Sequence, residues 1–204
     1  MIYVLGIGPG SIGLRTLKVD EILEKADILI AAKRNLEDIE NNTAKRFYID
    51  ADLEKMKKYI LENINKEIAV IASGDPSLYG IGKYILRELS DHAEIEIIPA
   101  VSSVQYAFSA FKVDMNDVFI TSSHGRDADF DFIFKHHKVA MLTDSKIGPR
   151  EIAQKIIEEG KDYTMYVGEN LSYENEILTV ATPEEILKKD KYSMSVVILK
   201  KNNK

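Results

Sequence analysis

Short β-branched apolar runs, several of them stopping in a glycine- or serine-bearing turn, alternate with longer amphipathic stretches along the whole sequence. A chain patterned in this way folds as strand, helix, strand, helix, which is the α/β arrangement. In the first half, strands are predicted over 2–7, 28–31, 68–72 and 95–98, each apolar enough to be buried on both faces of a parallel sheet. Helices are predicted between them, over 14–25, 53–65, 80–89 and 102–111. The periodicity breaks in the polar stretch 112–117 and then resumes, which predicts an N-terminal α/β domain at 1–113 and a C-terminal α/β domain at 117–204. The second half offers strands over 118–121, 139–142, 164–167 and 194–199, with helices over 130–135, 151–158 and 183–189.

Composition narrows the function classes. A net charge of −6 argues against a nucleic-acid partner, because phosphate backbones are held by clustered Lys and Arg. The absence of cysteine excludes disulfides, thiolate metal sites and a cysteine nucleophile. No apolar run approaches the roughly 20 residues that cross a bilayer, and Ile2-Tyr3-Val4-Leu5 reaches glycine too soon for a signal-peptide core, so a cytosolic protein with a small-molecule ligand is expected.

The first strand runs into Gly6-Ile7-Gly8-Pro9-Gly10-Ser11-Ile12-Gly13, where Gly8, Gly10 and Gly13 satisfy the G-x-G-x-x-G spacing of a dinucleotide site. Two features oppose that reading. The second strand ends in Ala31-Ala32-Lys33-Arg34, without the acid that would hold a ribose. Pro9 also removes an N–H from the stretch whose amides should cradle a pyrophosphate. A tight strand-to-helix turn with no ligand remains the plain alternative.

Further polar loops stand at strand ends, where ligands bind in open α/β sheets. The strand over 68–72 leads into Ser73-Gly74-Asp75-Pro76-Ser77-Leu78-Tyr79-Gly80, in which Asp75 either serves a ligand or caps the next helix. Pro99-Ala100-Val101-Ser102-Ser103-Val104-Gln105 places serines at a helix start, where they are equally ordinary N-caps. Thr121-Ser122-Ser123-His124-Gly125-Arg126 gathers hydroxyls, an imidazole and a guanidinium, a cluster that packing does not explain.

These segments, with Val167-Gly168-Glu169-Asn170-Leu171, together resemble the tetrapyrrole (corrin/porphyrin) methylase family over essentially the whole chain. The set is most similar to the members that methylate carbon 5 of cobalt-precorrin-7 (precorrin-6Y). Ala100 departs from the glycine usual there. The resemblance implies two α/β domains in tandem with a ligand cleft between them, a homodimer, and an S-adenosyl-L-methionine-dependent C-methyltransferase of cobalamin biosynthesis. It further implies that the donor is touched by Pro9, Gly74, Asp75, Pro76, Leu78, Ser102, Ser103, Leu142, Gly168, Glu169 and Asn170. Some relatives carry a fused C15-methylase and decarboxylase, an activity expected here on a separate protein.

Methyl transfer from a sulfonium is an in-line displacement in which the protein supplies chiefly proximity and orientation, so no catalytic triad is required. The acetate and propionate arms of a tetrapyrrole call for local cations, and Arg126, Lys33, Arg34 and Lys146 are the candidates. His124 is the candidate base for the proton that leaves the methylated carbon. His92, His136 and His137 read as ordinary polar residues, and adjacent His136 and His137 make a poor metal pair, so no metal site is expected. A nucleotide-dependent oxidoreductase, a methylase acting at another ring carbon, and a non-catalytic metabolite sensor are the competing readings.

Overall fold

The computed structural model describes residues 1–37, 39, 43–50, 52–123 and 128–202, in two compact units, Met1–Ser102 and Ser103–Lys204. The first unit is built on strands β1 (Ile2–Gly6), β2 (Ile28–Ala31), β3 (Lys45–Tyr48), β4 (Ile68–Ala72) and β5 (Ile95–Ile98), in the order β3-β2-β4-β1-β5 with every pairing parallel. Helices α1 (Leu17–Lys25), α2 (Lys33–Glu37), α3 (Leu53–Glu62) and α4 (Gly82–Leu89) connect them. Two apolar clusters fill the unit, one containing Leu5, Leu29 and Ile71 with Val19 and Leu23 of α1, the other containing Val4, Ile30 and Val70 with Met56, Ile60 and Ile85 of α3 and α4. The alternation of those strand residues between clusters is the period-two pattern of strands covered on both faces.

The outer strands depart from the sequence reading. β5 is half-exposed rather than doubly buried, because it is the edge neighbour of β1. β3, Lys45-Arg46-Phe47-Tyr48, carries too much charge to register as a strand, yet it completes the opposite edge against β2. The short α2 has no counterpart among the predicted helices; Arg46 secures the chain at its end, donating from Nη1 to the Leu36 carbonyl at 2.8 Å and from Nη2 to the Ile39 carbonyl at 2.7 Å. The first long helix starts at Leu17 because 12–14 form a separate 3-10 turn.

The second unit opens with α5 (Ser103–Ala110) and continues through β6 (Phe119–Ser122), α6 (Phe130–Ile133), β7 (Lys138–Leu142), α7 (Pro149–Glu158), β8 (Tyr163–Glu169), β9 (Ile177–Ala181), α8 (Pro183–Ile186) and β10 (Ser195–Lys201). Its sheet runs β6-β7-β10-β8-β9, with β6 and β7 parallel and the remaining pairs antiparallel. Val139, Met141, Met165, Val167, Val197 and Leu199 face one way into a core closed by Ile152 and Ile156 of α7 and Ile186 of α8. α5 packs against β10 and β7, so the division between units falls before this helix rather than in the polar stretch 112–117. β9 had no counterpart in the sequence reading; as an edge strand it leaves Ile177, Leu178 and Val180 exposed.

Candidate functional site

The order β4-β1-β5 brings the carboxyl ends of three strands side by side, and the loops that leave them are interlocked. After β1 and β4, Gly8 and Gly74 exchange backbone hydrogen bonds, Gly74 N–H to the Gly8 carbonyl at 2.7 Å and Gly8 N–H to the Gly74 carbonyl at 3.3 Å. Both residues hold φ in the left-handed region, +80° and +64°, which glycine occupies without strain. Asp75 ties in the third loop. Its Oδ1 accepts the Ser77 N–H at 2.7 Å, and its Oδ2 accepts the Ala100 N–H at 2.9 Å. Pro9, Pro76 and Ser102 are buried in this set, Leu78 is half-buried, and its N–H reaches the Asp75 carbonyl at 3.3 Å.

Beside these loops, at the carboxyl end of β2, Arg34 Nη2 donates to Ser73 Oγ at 3.2 Å, and Ser73 Oγ donates to Oδ1 of the buried Asn35 at 3.2 Å. The chain Arg34–Ser73–Asn35 fixes the root of an exposed guanidinium at the loop that begins with Ser73. Lys33 points to solvent and faces Glu37 at 3.8 Å. The sequence singled out Arg34 but not its two polar supports, because Ser73 and Asn35 lie 38 positions apart and are joined only by the β2–β4 pairing.

In the second unit, strand register gathers another set at one end of the sheet. Val196 of β10 pairs with Leu142 on one side and Gly168 on the other, and Leu142 pairs in turn with Ser122. Gly168 has no room for a side chain: a Cβ there would meet Leu171 Cδ2 at 2.5 Å. The Glu169 carboxylate turns inward, 1% exposed, taking Lys189 Nζ at 2.5 Å and the Ser193 N–H at 2.8 Å. Its side chain therefore holds the 188–193 segment, while Asn170, at φ +47°, turns the chain away from β8. Glu176 accepts the Ser172 N–H at 2.6 Å. Burial, and after it the hydrogen bond to Glu176, hold the Tyr106 phenol of α5 above its usual pKa. That contact links the helix opening at Ser103 to the turn carrying Asn170.

Ser123 of the sequence-predicted cluster, with two hydroxyls not singled out by sequence, completes this edge. Ser123 Oγ reaches the Leu142 and Ile147 carbonyls at 3.3 and 3.2 Å, and Thr143 Oγ1 pairs with Ser195 Oγ at 2.9 Å. Lys146 is exposed on the loop after β7. His124 and Arg126 lie outside the described residues. Among the described residues, no group of three or more His, Cys, Asp or Glu could hold a metal ion, and His136 stacks on Phe119 at 4.3 Å.

The loop chemistry separates the two ligand classes. Segments 6–10, 73–78 and 99–103 contain no Lys or Arg and one carboxylate, Asp75, which suits a cationic ligand better than a pyrophosphate. The third glycine of a dinucleotide fingerprint is needed for close helix packing, yet a Cβ on Gly13 would meet only Ser11 Oγ, at 3.6 Å.

The fold and these motifs define a methylase of the two-domain α/β type, and comparison with known proteins agrees. Residues 1–187 match the model of the Tetrapyrrole (Corrin/Porphyrin) Methylases, and the chain belongs to that family. It is 41% identical over 177 residues to the cobalt-precorrin-7 C(5)-methyltransferase of Salmonella typhimurium, covering 86% of this chain and 88% of that one. The crystal structure of the precorrin-6Y methylase from Archaeoglobus fulgidus superposes with a TM-score of 0.78 at 26% identity, over 100% of this chain and 99% of that one. The uroporphyrin-III C-methyl transferase from Thermus thermophilus, solved in complex with S-adenosyl homocysteine, shares the fold at a TM-score of 0.80 and 20% identity, over 98% of this chain and 96% of that one.

Proposed function

We propose that this methylase transfers the methyl group of S-adenosyl-L-methionine to carbon 5 of cobalt-precorrin-7 in cobalamin biosynthesis. The observation that carries the reading is the 41% identity, along most of both chains, to a methyltransferase of that specificity. The family comprises tetrapyrrole methylases, and the absence of Lys and Arg from segments 6–10, 73–78 and 99–103 suits a sulfonium donor.

When bound, the donor supplies an already activated methyl group. The residues of this chain bind and orient. On this reading Pro9, Gly74, Asp75, Pro76, Leu78, Ser102 and Ser103 present backbone and hydroxyl groups to the donor from the first unit and the start of α5. Leu142, Gly168 and Asn170 do so from the second. Glu169 and Asp75 act through the backbone they hold, since their carboxylates are engaged with Ser193 and Lys189 and with Ser77 and Ala100. Arg34, Arg126, Lys33 and Lys146 meet the acidic arms of the tetrapyrrole, and His124 accepts the proton that leaves carbon 5. The family resemblance also supports a homodimer in the cytosol.

The test is turnover of cobalt-precorrin-7 with methyl-labelled donor, followed by NMR assignment of the methylated carbon. Label at carbon 5 is expected. Label at another ring carbon would redirect the assignment within the family, and no transfer to any methylated precorrin would overturn it.

A further inference from the structure

A groove of about 470 Å³ opens on the first unit between α4, β5 and the loop that carries Asp75. It is lined by Ser77 of that loop, by Gly82, Lys83, Leu86 and Arg87 of α4, and by Ile97 of β5. Helical periodicity explains which side chains α4 presents there. Gly82, Ile85 and Leu89 are its buried residues, so Lys83, Leu86 and Arg87 fall on the outer side. Gly82 lets the three elements meet, because a Cβ at that position would stand 2.7 Å from the Pro76 carbonyl oxygen and 3.4 Å from Ile97 Cδ1.

The lining carries two cations and no carboxylate, in a chain of net charge −6. Lys83 and Arg87 stand at the i,i+4 spacing that sets two side chains on one flank of a helix. Lys83 is exposed and, among the described residues, has no hydrogen bond or ion pair. Arg87 donates from Nε to Glu88 Oε1 at 2.6 Å and lies 5.5 Å from the centroid of the Tyr84 ring. Those contacts steady the guanidinium and leave its two terminal nitrogens without an acceptor among the described residues. Glu88 also takes Lys57 Nζ at 2.6 Å, so its charge is shared between two cations and does not cancel Arg87 alone. The apolar part of the wall is Leu86, 42% exposed, and the half-buried Ile97. Two cations beside two aliphatic side chains match a carboxylate on a short hydrocarbon stem.

We propose that this groove is a subsite for one acidic arm of the tetrapyrrole, with the carboxylate held by Lys83 and Arg87 and the methylene groups laid against Leu86 and Ile97. The inference rests on the proposed methylase function and adds two cations to those already assigned to the substrate. The groove begins at Ser77, whose N–H is held by Asp75, so an arm lodged there is tied to the same loop as the donor contacts proposed at Gly74 to Leu78. Its size favours a small-molecule arm over an acidic protein segment. A protein interface takes about 20–30 residues on each side, and six line this groove.

The experiment compares the parent with Lys83→Gln, Arg87→Gln, the double variant and Lys83→Arg. Melting temperature, S-adenosylhomocysteine affinity by calorimetry, and steady-state kinetics with cobalt-precorrin-7 are measured for each. Both side chains are exposed, so every variant is expected to melt with the parent. Lys83→Gln should raise the tetrapyrrole KM about fivefold and the double variant about tenfold, a scale set by solvent-screened charges, while kcat and S-adenosylhomocysteine affinity stay within about twofold. Lys83→Arg keeps the charge and should keep the parental KM within about twofold. An unchanged KM in the double variant overturns the proposal while leaving the methylase reading intact. So does a parallel loss of S-adenosylhomocysteine affinity, which would assign the groove to the donor, and so does a Lys83→Arg variant as impaired as Lys83→Gln. If the parent methylates a different precorrin, the same kinetics are run on that substrate. A parent that transfers no methyl group to any tetrapyrrole removes both readings together.

Discussion

The Asp75 carboxylate joins two loops, accepting the Ala100 N–H at 2.9 Å while its other oxygen closes a turn onto Ser77 at 2.7 Å. Ala100 follows β5 and Asp75 follows β4, so this side chain spans across β1 between them. Removing it leaves a half-buried N–H without its acceptor. Asp75→Ala is expected to destabilise the protein by about 1.5–3 kcal/mol, the range for a hydrogen bond to a charged group, and to weaken donor binding at the same time. Asp75→Asn retains an acceptor for one of the two N–H groups and should lose less of both. Chemical denaturation and donor calorimetry on the two variants check this; donor affinity lost at full stability would mean the carboxylate contacts the donor directly.

Ala100 has a second relationship, with Gly6. A Cβ on Gly6 would stand 2.6 Å from the Ala100 Cβ, 2.8 Å from the Gly74 carbonyl oxygen and 2.8 Å from Pro76 Cδ. The methyl group of Ala100 is tolerated because position 6 has no side chain. Gly6→Ala is therefore expected to cost about 1–3 kcal/mol by overpacking. Adding Ala100→Gly should recover part of the loss, since the clashes with Gly74 and Pro76 remain. Gly13→Ala, whose Cβ would make only an ordinary contact with Ser11 Oγ at 3.6 Å, should stay within about 0.5 kcal/mol of the parent. Melting of the parent, Gly6→Ala, Ala100→Gly and the double variant gives the coupling directly, and full additivity would refute the contact.

The interior of this fold is legible in the sequence and its margins are not. β2 and β4 lie at the predicted positions because four or five consecutive apolar residues leave little alternative in a buried parallel strand, and β5 lies at its predicted position although Glu96 interrupts its apolar run. β3 escaped because an edge strand can carry Lys45 and Arg46 toward solvent, and charge erases the pattern that marks a strand. The candidate site divides in the same way. Its glycines and prolines announce themselves by type, whereas Asn35 finds Ser73, Ser195 finds Thr143 and Glu176 finds Tyr106 only through strand pairing and chain folding far from their own positions. No local pattern records such contacts. The family resemblance implies a donor contact at Glu169, whose carboxylate is engaged with Lys189 and Ser193; a motif specifies a backbone position but not which way the side chain faces.

Arg34 and Ser73 offer a separable test of the substrate side. Ser73 Oγ holds the guanidinium at 3.2 Å and is itself held by Asn35. If Arg34 meets a carboxylate arm, Arg34→Leu should raise the tetrapyrrole KM roughly 10-fold to 150-fold, the equivalent of one charge-assisted hydrogen bond. Ser73→Ala should raise it by a smaller factor, about threefold, because the charge remains while its anchor is gone. Donor affinity should be unchanged in the Arg34 variant. Equal effects of Arg34→Leu on donor and tetrapyrrole binding would contradict the division.

Tyr84 gives a prediction at alkaline pH. Its hydroxyl lies 3.1 Å from the Leu53 carbonyl and 3.1 Å from Glu54 Oε1, tying α4 to the first turn of α3. Burial, then the hydrogen bond and charge of Glu54 and the charge of Glu88, push its pKa from 10.0 to about 12, against a small opposing effect of Arg87. A folded-state pKa raised above the unfolded value favours the protonated native form. The contribution is complete below pH 10.0, where the unfolded phenol is still protonated, and fades as pH rises toward about 12. Tyr84→Phe deletes the titrating group and its hydrogen bonds together. The parent should therefore exceed the variant in stability at pH 8, and the gap should narrow steadily between pH 10 and 11.5. Lysines titrate in the same range, but they are common to both proteins and cancel in the difference. Urea denaturation of the pair at half-unit pH intervals measures it; a gap that stayed constant to pH 11.5 would show that the phenol ionises alike in the folded and unfolded chains.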